Sequence, residues 1–503
     1  FAEALEHVNE SILRQYQCMK ARALKENILR KLGRVKEAEE LHKESLKIDP
    51  LYDRQPEKIN HNTLLELVID LYEAGDYAQG ITLAEKWVKQ QNVSRQEDIY
   101  PLVYYYIAYG YQNLHRKENT EQANCYMTMY VTLGENAAAD GCFPHRTEDY
   151  IVLKSLAEEY HLAMAYYYLG CLLYDRRVYD ESIEDYEESI LRSPDFPTVH
   201  RNLALAYYNV KKLPQRAYEE MEKAFALDET DARVYLELDQ LKKRLNVAVK
   251  ERWSDMEKHF DLVESRDDLY LEYVTLLNTL GEPEKALGLI KARKFHQWEG
   301  GEGKVAAQYL TALYQLAKAA VEKEDYAEAK ELLLRAVGEY PHNLGEGKLE
   351  SGQENNLYYL LGLVQEKLGE AKDAFESLTR ACCGESEPVG MMYYNDQPPE
   401  MIYYQGLAYR MLGEEEQAVR RFQKLVDYGR EHIRDDVKID YFAVSLPDLL
   451  IFEENLNERN RKHCLFMMSL GLKGLGRIDE AEKCAEELLA MDNAHQEIRV
   501  HDL

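Results

Sequence analysis

Residues Ala163–Phe196 read AMAYYYLGCLLYDRRVYDESIEDYEESILRSPDF, and this stretch decides the fold. Tyr166, Leu169 and Leu173 stand at i, i+3 and i+7, which puts them on one stripe of a first helix. Ile183, Tyr186 and Ile190 repeat that spacing on a second. Gly170 and Ser182 are small where two antiparallel helices must come close. Pro194 cannot continue a helix and ends the unit. The whole stretch is about 34 residues long, the size of one helix-turn-helix repeat. Such a hairpin cannot bury both of its faces alone, so it predicts neighbours of the same kind.

Those neighbours can be read along the chain. A unit at about 18–50 turns at Leu32-Gly33-Arg34 and carries Ala38 on its second helix. One at 60–93 turns at Gly75-Asp76-Tyr77 and carries Gly80 and Ala84. A third, 98–134, contains Tyr104-Tyr105-Tyr106, then Ala123 and Met127. Residues 135–158, broken by Gly141 and Pro144, read as an irregular connector. After the opening unit come 197–229 (Ala217, Met221, Ala224), 231–264, 267–294 (Gly281, Ala286), 304–341 (Ala329, Leu333, Ala336), 354–384 (Gly369, Ala374), 398–430 (Gly413, Ala418, Phe422) and 459–493 (Gly476, Ala481). A spacer at 431–458 is expected to hold a short helix near Leu446–Glu454. The fold predicted is all-α, an α-solenoid of about eleven stacked hairpins. It divides into N-terminal units 1–134, the connector 135–158, central units 159–294 and C-terminal units 295–503 with long inter-repeat loops.

Composition narrows the function. The chain has 503 residues, 46% of them hydrophobic and 30% charged, with a net charge of −29. A field of that sign repels phosphate backbones, so nucleic acid is not an expected partner. No run of apolar residues is long enough to span a bilayer. The eight cysteines form no CxxC pair, which fits a reducing, cytoplasmic setting.

The spacing of Tyr166, Leu169, Gly170 and Leu173 with Ser182, Tyr186 and Pro194 resembles the tetratricopeptide-repeat superfamily. The match covers most of the chain. It departs from the superfamily's pattern at Ser182 and Gly80, where an alanine is usual, and at Arg177, where a turn glycine is usual. A narrower resemblance rests on Lys294–Lys304 (KFHQWEGGEGK), Tyr340–Lys348 (YPHNLGEGK) and Ile439–Asp448 (IDYFAVSLPD). These look like the C-terminal repeat array of large bacterial proteins in which a β-rich, carbohydrate-enzyme-like domain of unknown function comes first. That resemblance implies an upstream domain before Phe1 and a link to sugar metabolism, and it supplies no catalytic residue.

No nucleophile, metal or phosphate-binding motif is present, and neither an enzymatic role nor a cofactor or metal is expected. The two GEGK segments lack the Ser or Thr that a phosphate-binding loop places after its lysine. Two sets of binding residues remain. The first should line a concave groove made by first helices: Tyr167, Tyr174, Arg201, Asn202, Tyr208, Tyr314, Tyr359, Tyr403 and Arg410. Tyrosine offers flat apolar area with a polar tip, which suits peptide recognition. The second lies on the loops that join one hairpin to the next: His296, Trp298, Glu299, Glu302, His342, Asp440 and Tyr441. Those loops collect on one edge of the array, where they either brace one another or form a docking pocket. The function expected is a non-catalytic scaffold that binds a protein segment or an adjoining domain through the tyrosine-rich groove. The alternative is an accessory region of a carbohydrate-active enzyme whose edge loops help bind a glycan. Self-association through a terminal repeat is a further reading.

Overall fold

The computed structural model describes residues 1–50, 59–91, 95–118, 121–298, 300–348, 352–390, 396–438 and 451–501. Among these residues there are helices and no strand. The chain forms two compact units, Phe1–Val199 and His200–Leu503.

Unit 1 begins with α1 (Ala2–Arg14), followed by the hairpins α2 (Met19–Lys31) with α3 (Val35–Ile48), α4 (His61–Glu73) with α5 (Tyr77–Gln90), and α6 (Pro101–Glu118) with α7 (Glu121–Asn136). A single helix, α8 (Thr147–Tyr160), precedes the hairpin α9 (Ala163–Asp175) and α10 (Tyr179–Arg192). The division between units falls within α11 (Pro197–Asn209), which leads to α12 (Pro214–Leu227). Unit 2 continues with α13 (Ala232–Arg244) and the broken second helix α14 (Val249–Lys258) and α15 (Phe260–Ser265). Next come α16 (Asp267–Thr279) with α17 (Pro283–Ala292), α18 (Lys304–Glu322) with α19 (Tyr326–Ala336), and α20 (Asn355–Lys367) with α21 (Ala371–Ala381). The chain then runs through α22 (Pro399–Met411) with α23 (Glu415–His432), α24 (Leu456–Gly474) with α25 (Ile478–Met491), and the short α26 (Gln496–Val500). The described residues therefore hold eleven hairpins, together with the unpaired α1, α8 and α26.

The hairpin contact works as the spacing implied. Ser182 is fully buried and its hydroxyl donates to the Gly170 carbonyl at 2.7 Å. A side chain at Gly170 would lie 2.5 Å from the Tyr186 ring. The small residue recurs on the second helices: Ala38, Ala84, Ala217, Ala286, Ala329 and Ala418 all have zero exposure. The turn between the two helices needs a left-handed residue. Gly33, Gly75, Gly281, Gly369, Gly413 and Gly476 supply it with φ between 72° and 81°, while Arg177, Lys212, Asn246 and Glu324 adopt it at 54–62°. A side chain there costs about 1–2 kcal/mol, because its Cβ crowds the backbone carbonyl.

Three expectations need correcting. Residues 135–158 are not irregular throughout, because α8 buries Val152, Leu153, Leu156 and Ala157 against α6 and α9. Tyr166, expected in the core, is half-buried, with the Arg192 guanidinium 4.6 Å from its ring centre; Tyr168 and Leu169 take the buried positions. Leu169 is buried as expected, while Tyr166 and Leu173 are half-buried and Tyr168 and Leu172 are buried beside it. The helix expected near 446–454 lies largely outside the described residues, and residues 451–454 are not helical.

Candidate functional site

In unit 2 the first helices α16, α18, α20, α22 and α24 pack side by side and make one face. The final segment of the chain lies on that face. The His495 ring accepts from the Ile498 amide at 3.4 Å and starts α26. The Gln496 amide nitrogen reaches the Thr275 carbonyl, the Thr279 hydroxyl and Gln308 Oε1, each at 3.2 Å, bridging α16 and α18. Lys318 Nζ donates to the Val500 carbonyl at 3.1 Å. Ile498 and Val500 are buried.

A tyrosine–histidine chain ends this contact. Tyr314 and Tyr404 hydroxyls are 2.6 Å apart, and Tyr404 is 3.1 Å from His501 Nδ1. Both rings lie 5.5 Å from the His501 ring. Burial, helped by the Lys318 charge, lowers the His501 pKa to about 3. The ring is neutral at physiological pH, and its Nδ1 shares a hydrogen bond with the Tyr404 hydroxyl, which shares another with Tyr314. Burial also raises both tyrosine hydroxyls above their ordinary pKa, keeping them protonated as donors.

The predicted groove residues therefore have different settings. Tyr314 and Tyr403 are buried, and Tyr359 is half-buried with its ring 5.5 Å from that of Tyr404. Tyr314 lies against His501, whereas Tyr403 packs 5.7 Å from Phe422 of α23 and Tyr359 packs on the cluster of Leu378, Ala381 and Ala408. Tyr208 lies farther along unit 2, edge-on to Phe452 at 5.0 Å. Arg201 is committed to a two-pronged pair with the buried Glu237, both contacts 2.7 Å, and also donates to Asn202 at 3.1 Å. Arg410 pairs with Glu415 and donates to the Gly474 carbonyl at 2.9 Å. In unit 1, Tyr167 is buried against Tyr186 and Phe196, and Tyr174 sits edge-on to Tyr179 at 5.2 Å.

Of the edge-loop residues, His296 spends its polar groups locally. His296 bonds Asp267 through its amide at 2.8 Å and its ring at 3.1 Å. Trp298 covers Gly301, where a side chain would meet its ring at 2.3 Å. Glu302 and His342 are exposed. The 295–303 and 341–348 loops hold each other: the Phe295 amide donates to the Asn343 carbonyl at 2.8 Å. Asn343 Nδ2 donates to the Ile290 and Arg293 carbonyls at 2.8 and 2.9 Å. Glu346 accepts from the amides of Gly303 and Ala306 at 2.8 and 2.9 Å, capping α18. Glu299, Asp440 and Tyr441 lie outside the described residues.

The sequence reading missed Tyr404, Gln308, Lys318, Gln496 and His501. Tyr404 follows Tyr403 directly, and a helix-face assignment off by one residue exchanges them. The other four become a site only through contacts between positions 97 or more residues apart. Among the described residues no group of three His, Cys, Asp or Glu side chains could hold a metal ion, and no helix is long and apolar enough to cross a membrane.

Comparison with known proteins agrees with the repeat architecture. Tetratricopeptide repeat models match residues 314–388 and 400–428. Among solved structures, the chain is similar to yeast Tom70 at 10% identity, covering 96% of this chain and 94% of that one, with a TM-score of 0.30. It is similar to a structure of Naa15/Naa10 bound to HypK-THB at 12% identity, covering 99% and 92%, with a TM-score of 0.22. It is also similar to YrrB, described as a tetratricopeptide repeat protein with an unusual peptide-binding site, at 15% identity, 46% and 90% coverage and a TM-score of 0.17. Among the described residues each unit is built of helical hairpins, and residues 314–388 and 400–428 are similar to tetratricopeptide repeats.

Proposed function

We propose that this protein is a non-catalytic scaffold that binds a short protein segment on the first-helix face of unit 2. One observation carries the reading: that face already holds a segment, Gln496–His501, by the contacts a peptide ligand would use. Gln496 satisfies polar groups on two helices, Ile498 and Val500 bury apolar area, and His501 closes a hydroxyl chain with Tyr404 and Tyr314. Helix-in-groove recognition combines spaced apolar anchors with a few polar contacts that fix register. An external partner would carry a similar pattern and exchange with the chain's own segment. Glycan binding at the edge loops has less to support it, since those loops bond mainly to each other.

The test uses the full chain with Ile498→Ala and Val500→Ala, which loosens the resident segment. A fluorescent peptide of residues 492–501 (DNAHQEIRVH) is titrated and anisotropy is read. Saturable binding to this variant, with weaker binding to the unaltered chain and to the variant also carrying Tyr404→Phe, supports the proposal. Absence of binding to the loosened variant overturns it.

A further inference from the structure

Just before α26 the chain is held at a second place, the turn between α13 and α14. Asn246 stands in that turn with φ of 59°, the left-handed conformation that Gly281 and Gly413 take at the equivalent turns. Asparagine enters this conformation more readily than most residues that carry a side chain. Asn493, three residues before Gln496, meets Asn246 twice. Its amide donates to Asn246 Oδ1 at 2.7 Å, and its Nδ2 donates to the Asn246 carbonyl at 2.6 Å. Asn246 Nδ2 donates to the Ala490 carbonyl at 3.1 Å. The carbonyl of Asn246 therefore reads a side chain of the segment, and its side chain holds the segment's backbone.

The contact is chemically selective. A carbonyl oxygen only accepts, so the group facing it at 2.6 Å has to be a donor, and this fixes which way the Asn493 amide points. Aspartate at that position sets an acceptor against the Asn246 carbonyl. The contact is also built for exchange. Asn493 Oδ1 is buried and has no hydrogen-bond partner among the described residues, and an acceptor in that state weakens the resident's hold. A cavity of about 920 Å³ is lined by Arg244 and Leu245, next to the turn, and by Asp492, His495 and Glu497 of the segment. The segment thus has open space beside it.

We infer that the α13–α14 turn is an asparagine-reading subsite of the segment-binding face, with Asn246 as its specificity-determining residue. The inference rests on the segment binding proposed above and names the partner's chemistry. The partner carries an Asn three residues before a Gln, apolar side chains two and four residues after that Gln, and a His next to the second. In the resident segment these are Asn493, Gln496, Ile498, Val500 and His501. A segment with the same apolar pair and Asp in the first place keeps the Ile and Val contacts and is rejected at the turn, which is discrimination by a repulsive contact.

The experiment uses the full chain with Ile498→Ala, Val500→Ala and Asn493→Ala, which frees both the face and the turn. Three fluorescent peptides are titrated and anisotropy is read: DNAHQEIRVH, the same peptide with Asp for its Asn, and HQEIRVH, which stops short of the turn. The Asp peptide is expected to bind about tenfold or more weakly than the first. That gap is expected to persist at about 0.5 M salt, where repulsion from the distant acidic surface is screened and a direct contact is not. Asn246→Gly keeps the left-handed turn and removes the side chain. It is expected to weaken DNAHQEIRVH about threefold or more and to leave HQEIRVH unchanged. Equal binding of the Asn and Asp peptides, or an equal effect of Asn246→Gly on the long and short peptides, overturns the inference and leaves segment binding standing. Failure of both DNAHQEIRVH and HQEIRVH to bind overturns segment binding and this inference with it. A second measurement needs no loosened host. Asn493→Asp in the otherwise unaltered chain is expected to speed amide exchange at Ile498 and Val500 about tenfold or more, and unchanged exchange overturns the inference.

Discussion

Arg252 offers the most exacting test of how unit 2 is held together. It is 1% exposed on α14 and joins three helices. Its Nε and Nη2 grip Asp239 of α13 at 2.9 and 2.5 Å, and Nη2 reaches Glu272 of α16 at 2.7 Å. Arg252→Met leaves Asp239, 3% exposed, without its cation. Removing one partner of a buried pair costs about 3–5 kcal/mol, because the remaining charge stays desolvated. Replacing both, with Arg252→Met and Asp239→Leu, is expected to recover most of that, since apolar substitutes of similar volume are often neutral. Glu272 keeps Lys243 at 3.2 Å and part of its solvent contact in both variants, so its contribution largely cancels. Repeat arrays open in pieces, so the assay is native-state hydrogen exchange of the α13, α14 and α16 amides together with urea unfolding. A single-variant cost below about 1 kcal/mol, or a double variant as unstable as the single, would refute the claim that an uncompensated charge sets the penalty.

Other expectations follow from the same geometry. Gly170→Ala should cost about 1–3 kcal/mol in chemical unfolding of unit 1, because the new Cβ meets the Tyr186 ring and forces overpacking. Arg177→Gly should stabilise unit 1 by up to about 1 kcal/mol by relieving a left-handed residue with φ of 62°, partly offset by glycine's extra unfolded freedom. Glu400 gives a pH dependence with a definite sign. Its pKa is raised from 4.5 to about 8 in the folded chain. The folded state therefore holds a proton that the unfolded state has released, and stability should fall as pH rises from about 4.5 to about 8. Thermal unfolding of Glu400→Gln should have a flatter profile over that window.

The hairpins were legible because each repeat has to solve the same local problem. Small residues such as Ser182 and Ala329 mark where helices meet, and Gly33 or Gly413 marks a turn that needs positive φ. These signals lie within about 20 residues of one another and recur, so pattern alone finds them. Signals that depend on distant partners were not legible. Whether Tyr314 faces solvent depends on His501, far along the chain, and nothing near Tyr314 encodes that. Tyr166 and Tyr167 differ by one position, enough to exchange a half-buried ring for a buried one. The α8 helix was hidden by Gly141 and Pro144, which precede it rather than interrupt it. The Asp239–Arg252–Glu272 network replaces an apolar helix contact with charge, so it reads in sequence as ordinary surface.

The proposed segment-binding site is the first-helix face of unit 2, with the chain's own Gln496–His501 resident on it. Hydrogen exchange of residues 496–501 in the unaltered chain measures this directly. Protected amides are expected at Ile498, Arg499, Val500 and His501, with protection lost in the Ile498→Ala, Val500→Ala variant while α18 and α22 stay protected. Exchange of those four amides at the rate of an unstructured peptide in the unaltered chain would contradict it.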